Sequence, residues 1–204
     1  MIPAATHSPH AASPSERVRI VDTQVLSDDW YVLRKITFDY RRSNGTWQRQ
    51  SRETYDRGNG ATILLYQPHT RHVVLTRQFR MPAFVNGHDG MLIEAAAGLL
   101  DNASPEERIR AEAEEETGYR VRNVKKVFEA FMSPGSVTEK LHFYIGEYDA
   151  SMRVSEGGGL EHEGEDLEVI EMPLASALEA IERGDIIDGK TIMLLQYAAL
   201  QLSR

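Results

Sequence analysis

The sequence contains no cysteine, which excludes disulfides and thiolate metal sites. It has no basic field either: 23 lysines and arginines against 31 aspartates and glutamates leave a formal charge of −8. A nucleic-acid backbone needs clustered positive charge, so no polymer of that kind is expected as a partner. No apolar run approaches the ~20 residues of a membrane span, so no membrane partner is expected. The seven histidines are scattered and form no helical i, i+4 pair, so an imidazole metal site is not expected. Residues 1–16 are mostly alanine, serine, proline and histidine, without an apolar segment. They do not read as a signal peptide; a disordered tail over residues 1–17 and a cytoplasmic location are expected.

The 204 residues suffice for one core plus a small appendage. Residues 18–26, 30–41 and 46–57 read as strands, with Ile36, Phe38 and Tyr40 on one face of the second. Asn44-Gly45 between the last two is a strong hairpin signal. The result is an antiparallel unit over residues 18–57, too thin to be stable alone. The continuous apolar run at 61–66 reads as a buried strand, and 73–78 as its hairpin partner. Residues 81–90 read as an irregular loop and 92–96 as a short strand. Further strands are expected at 123–131, 141–148 and 167–172, and helices at 174–183 and 189–202. Strands linked mostly by hairpins, mixed with helices, predict an α+β sandwich over residues 58–204.

The chain is organised around residues 97–119. Asp101 and Asn102 make a turn. Ser104, Pro105 and Glu107 form a capping-box start, and Gly118 stands where a helix ends in the left-handed region. On that helix Glu112 and Glu116 lie about 40° apart, with Glu115 on the other side of Glu112. Like charges so placed cost a few tenths of a kcal/mol per pair. No lysine follows four residues on; Arg120 has the spacing to pair with Glu116. Such a stripe either solvates a surface or binds hard cations. Two other stretches carry the same choice between surface and function. Arg77 and Arg80 of R-Q-F-R are strand-end charge or a forked grip on diphosphate. Residues 155–166, acidic and glycine-rich, are a flexible loop or a mobile arm that delivers a carboxylate.

The stretch resembles the Nudix box, G-x5-E-x7-R-E-U-x-E-E-x-G-U, where U is aliphatic or aromatic. Aligned from the right, Glu112, Glu115, Glu116, Gly118 and Tyr119 match. The left half departs from the pattern. Gly98 is one residue too close, Ala111 replaces the arginine, and the first glutamate has no counterpart in register. Glu106, Glu107 and Arg110 are near but shifted. This shortened form is similar to the GDP-mannose pyrophosphatase branch, a likeness that spans roughly residues 18–202. E-T-Y-D-R-G-N-G-A-T-I-L-L-Y, R-Q-F-R, F-V-N-G, A-G-L-L-D-N, M-S-P-G-S-V-T-E, G-G-G-L-E and D-G-K-T carry it.

The resemblance implies a Nudix-type α/β/α sandwich with mixed sheets. It implies magnesium, with manganese as the alternative, held by Glu112, Glu116, the Ala97 carbonyl and a late-loop glutamate matched to Glu165. Glu163 becomes the candidate general base, with Glu161 and Glu165 open for either late role. Glu115 is a ligand or the group that orients one, and Arg108 or Arg110 stands in for the missing arginine. Substrate contacts are implied at Arg80, Ala97 and Glu139. In a homodimer that exchanges the N-terminal unit they are implied also at Trp30, Arg52 and Glu53. The implied substrate is a nucleotide sugar, GDP-mannose, giving GMP and mannose 1-phosphate. ADP-ribose, giving AMP and ribose 5-phosphate, is the alternative. A non-catalytic Nudix binding module is a third reading, but it predicts lost box carboxylates, and Glu112 and Glu116 are present.

Overall fold

Two units divide the chain: Met1–Arg57 with Ser133–Thr138, and Gly58–Met132 with Glu139–Arg204. The computed structural model describes residues 16–100 and 103–202, except for the side chains of Glu163 and Leu202. The turn at Asp101 and Asn102, and residues 1–15 of the expected tail, lie outside the described residues.

In the first unit β1 (Val18–Asp28), β2 (Val32–Arg41) and β3 (Trp47–Asp56) form an antiparallel sheet in the order β1-β2-β3. The Asn44-Gly45 turn joins β2 to β3: Gly45 takes φ 85°, and the Asn44 side chain accepts from the Thr46 N–H. Residues 133–138 add to this unit by backbone bonds, Tyr55 N–H to Ser136 O at 2.7 Å and Thr138 N–H to Tyr55 O at 3.0 Å. Every residue of β1 is exposed, including Val18, Ile20, Val21, Val25 and Leu26.

The second unit is built on a seven-stranded mixed sheet. Its elements are β4 (Gly60–Tyr66), β5 (His72–Phe79), α1 (Met81–Val85), β6 (Met91–Glu94), β7 (Ala96–Leu99), α2 (Pro105–Thr117), β8 (Arg122–Phe131), β9 (Lys140–Glu147), β10 (Glu168–Pro173), α3 (Leu174–Arg183) and α4 (Gly189–Leu202). The order is β10-β5-β4-β9-β8, with β6 added on β5 and β7 on β4. Among the described strands of this sheet, only β4 and β9 pair in parallel. The apolar run in β4 follows from its cover on both faces. Ala61, Ile63 and Leu65 pack with Ile109 and Ala113 of α2. Leu64 packs with Leu174, Ala177, Leu194 and Leu195 of α3 and α4. The α/β/α layering of the sequence expectation is therefore present. Among the described residues no helix is long and apolar enough to cross a membrane.

Two expectations are corrected. The segment expected as an irregular loop at 81–90 begins with the short helix α1. Pro82 suits its first turn, where no N–H is required, and the helix buries no side chain. The single strand expected at 92–96 is two strands. Ala95 breaks it by donating its N–H to Thr191 Oγ1 at 2.7 Å, so β6 pairs with β5 and β7 turns to β4.

Candidate active site

Helix α2 begins at the expected capping box: the Glu107 N–H donates to Ser104 Oγ and the Ser104 N–H to a Glu107 carboxylate oxygen, both at 3.3 Å. It ends at Gly118 with φ 77°. Between these caps the carboxylate stripe faces inward. Glu112 is 4% exposed and Glu116 2%, so the solvated-surface reading does not hold. The stripe lies against β7. The Ala97 N–H reaches Glu116 Oε1 at 3.5 Å, and a Cβ on Gly98 would stand 1.6 Å from Glu112 Oε1. A side chain at 98 would therefore displace the Glu112 carboxylate.

The place of the missing box arginine is taken from one helical turn earlier. Arg108 donates through Nε to Leu99 O at 3.1 Å and pairs with Glu112 Oε1 at 2.5 Å; another of its nitrogens is 3.9 Å from Glu115. Arg110 points elsewhere, to Glu106 at 2.8 Å and Val121 O at 3.1 Å. Arg120 does not pair with Glu116 as its spacing suggested. The helix ends at Thr117 and the chain turns at Gly118, which brings Arg120 to Glu114 at 3.1 Å instead.

Glu116 is the electrostatic centre of the site. Burial, then Glu112 and Glu165, raise its pKa well above the usual carboxylate value, against opposing pulls from the Ala97 N–H and Arg80. Its Oε2 is buried with no hydrogen-bond partner among the described residues. A buried carboxylate oxygen so left is costly. Among the described residues no three acidic or histidine side chains stand together at metal-holding distance. The donor set nonetheless fits a hard divalent cation: it offers only oxygens, one of them unpartnered, where neighbouring carboxylates raise the pKa of Glu116. Glu165 acts on Glu116 from across this space, while its Oε2 accepts from the Leu160 N–H at 2.9 Å. Glu139 Oε1 and Gly98 O flank the start of β4, 3.4 and 3.2 Å from where a Gly60 Cβ would be. Glu161 is exposed, and its carbonyl accepts from Gly164 N at 3.0 Å. Glu163 lies with it in the 3-10 turn Glu161–Glu163; the Glu163 side chain is outside the described set.

A third buried carboxylate has no role in the sequence reading. Glu94, 3% exposed, is ringed by Arg80 at 2.7 Å, Lys190 at 2.9 Å and Gln78 at 3.2 Å. Lys190 also meets Asp188 at 3.1 Å. Burial pulls the Arg80 guanidinium pKa down, but Glu94, Glu116 and Asp188 lift it above its ordinary value, so it stays charged. Arg77 pairs at 3.4 Å with exposed Glu168, so of the two arginines only Arg80 belongs to this cluster. The available signal was a lone glutamate between apolar residues in L-I-E-A-A-A, since a buried charge needs partners.

Three site candidates lie in the other unit. Trp30 is 80% exposed and meets Tyr31 edge-on, with centroids 6.1 Å apart. Arg52 is exposed and bonds to Ser51 O at 2.8 Å and Gln50 Oε1 at 3.1 Å. Glu53 is exposed on β3.

A family model described as the N-terminal domain of GDP-mannose pyrophosphatase NudK matches residues 17–55. A GDP-mannose pyrophosphatase of Pectobacterium atrosepticum is 57% identical over 188 residues, 92% of this chain and 96% of the relative. One from Klebsiella pneumoniae is 53% identical over 184 residues, 90% of this chain and 92% of the relative. Among solved structures, an ADP compounds hydrolase matches with a TM-score of 0.70 at 18% identity, covering 92% of this chain and 95% of that one. That likeness carries the fold.

Proposed function

The chain belongs to the Nudix hydrolases of the GDP-mannose pyrophosphatase family, and on that premise we propose that it hydrolyses the diphosphate bond of GDP-mannose to give GMP and mannose 1-phosphate. The observation that carries the reading is Glu116, whose buried, unpartnered oxygen lies in a field set by Glu112, Glu165 and Arg80. A divalent cation, assigned as magnesium with manganese as the alternative, would be held by Glu112, Glu116, Glu165 and the Ala97 carbonyl. When bound, it polarises the phosphoryl oxygens and offsets the charge that develops on them.

The chain's own residues supply the rest. Arg80 offers a forked, permanently charged grip for the diphosphate, and Glu94 fixes its orientation in advance. Lys190, held between Glu94 and Asp188, adds a second cation beside it. Arg108 steadies Glu112, with Glu115 beside the pair. Glu139, the residue before β9, contacts substrate. Glu163 is the base: its carboxylate takes a proton from the attacking water as the new bond to phosphorus forms and the bond to the leaving phosphate breaks.

Product analysis tests the bond assignment. GMP and mannose 1-phosphate are expected; GDP and free mannose would mean that a different bond is cut. Glu163→Gln should lower kcat far more than it raises KM, because a base acts in the transition state. A near-wild-type Glu163→Gln beside an inactive Glu161→Gln or Glu165→Gln would move the base to one of those residues.

We further propose a homodimer in which the N-terminal sheet of one subunit completes the other's site with Trp30, Arg52 and Glu53. The exposed apolar face of β1 supports this, as does the flat, exposed Trp30 ring, which suits stacking on a base.

A further inference from the structure

The acidic, glycine-rich loop reads from sequence as a mobile arm, yet its glycine end is fastened. Gly157, Gly158 and Gly159 take φ of 71°, 104° and 80°, three successive positions that strain any side chain. The Gly158 N–H donates to Glu116 O at 2.9 Å and the Gly159 N–H to Glu115 O at 3.1 Å. These carbonyls belong to the last turn of α2, which a helix leaves without internal donors. Side chains are also excluded by contact. A Cβ on Gly157 would lie 2.6 Å from Glu116 O, and one on Gly159 would lie 2.5 Å from Glu165 Oε2. The next amide, Leu160 N–H, donates to that same Glu165 oxygen at 2.9 Å. The Leu167 N–H closes the loop onto Gly158 O at 3.2 Å. Three glycines thus touch the backbone of Glu116 on one side and the carboxylate of Glu165 on the other.

We propose that residues 157–159 are a positioning strap: they clamp the end of the box helix and seat the Glu165 carboxylate, through the bare face of Gly159 and the Leu160 amide, at a fixed place opposite Glu116. The strap rests on the reading of Glu116 and Glu165 as cation ligands. Its glycines serve close approach, and delivery of a carboxylate by loop motion is confined to residues 161–164. Gly157, Gly158 and Gly159 are positioning residues, acting through Glu165.

The test measures Mn2+ binding to nucleotide-free protein by electron paramagnetic resonance, alongside steady-state kinetics. Gly159→Ala should weaken Mn2+ binding by about ten-fold or more, the range seen when groups that orient metal ligands are lost. The metal concentration for half-maximal rate should rise in step, while KM for the nucleotide sugar at saturating metal stays near wild type. Gly164→Ala is the comparator: its φ of 76° imposes the same backbone strain, but its Cβ would meet nothing within 4 Å. It should bind Mn2+ as wild type does. In a Glu165→Gln background, Gly159→Ala should add no further loss; an additive loss would overturn the strap. If Glu165→Gln weakens Mn2+ binding and Gly159→Ala does not, the strap alone is wrong. If Glu165→Gln binds as wild type, the ligand reading falls and the strap with it. Should Gly159→Ala fail to fold, amide hydrogen exchange of the metal-free wild type decides. Gly158 and Gly159 amides as protected as the last turn of α2 support the strap, and exchange at the rate of an open loop overturns it.

Discussion

Glu116→Gln should lower kcat by about 10³-fold or more, the loss that goes with removing several kcal/mol of transition-state charge stabilisation. The same change should make the metal-free protein more stable at alkaline pH. Burial, Glu112 and Glu165 raise the Glu116 pKa in the folded state, so folding favours the protonated acid. Stability from such a group is complete below the ordinary carboxylate pKa and is lost as pH rises through the raised value. Glutamine cannot ionise, so in a chelator the melting point of the variant should exceed that of the wild type by a margin that widens with pH. Glu114→Gln provides the contrast. Its side chain is 41% exposed and paired with Arg120, and both kcat and melting point should stay near wild type. Comparable losses of activity from the two substitutions would mean that the inward stripe has no special role in turnover.

Subunit mixing should restore activity from two defective parents. Glu116→Gln disables the box helix, and Arg52→Ala disables a contact on the N-terminal sheet. If the site is composite, each heterodimer holds one site with an intact box and an intact sheet. With random exchange, about a quarter of all sites recover, because half the dimers are mixed and half their sites are whole. Glu116→Gln alone is nearly inactive, so the rise is large against its background. The β1 strand motivates the exchange: its eleven residues are all exposed, and five of them, Val18, Ile20, Val21, Val25 and Leu26, are apolar. A mixture no more active than the average of its parents would assign every site to a single chain.

Local rules made the box helix legible. Ser104, Glu107 and Gly118 each act at their own position, and the structure uses them as the spacing indicated. The apolar run of β4 was legible because two covered faces leave no room for alternation. What the sequence hid were pairings set by tertiary direction. The i, i+4 rule matched Arg120 to Glu116, yet the chain reverses at Gly118 and carries the arginine to Glu114. The sequence leaves Arg108 and Arg110 both open as stand-ins for the box arginine, and the choice of Arg108 is set by where its side chain meets Leu99 O and Glu112. Glu94 and Lys190 are 96 residues apart in sequence, so no window joins them. Glycines 157–159 read as flexibility because composition does not distinguish freedom from close approach; only the bonds to Glu115 O and Glu116 O do.

The inward carboxylates of α2, with a divalent cation, are expected to serve the diphosphate of GDP-mannose. The most direct measurement is kcat/KM of the purified protein for GDP-mannose and for ADP-ribose, with magnesium and with a chelator. GDP-mannose should be preferred, with GMP and mannose 1-phosphate as products, and neither compound should turn over in the chelator. A preference for ADP-ribose, or GDP-mannose turnover that survives the chelator, would contradict that role.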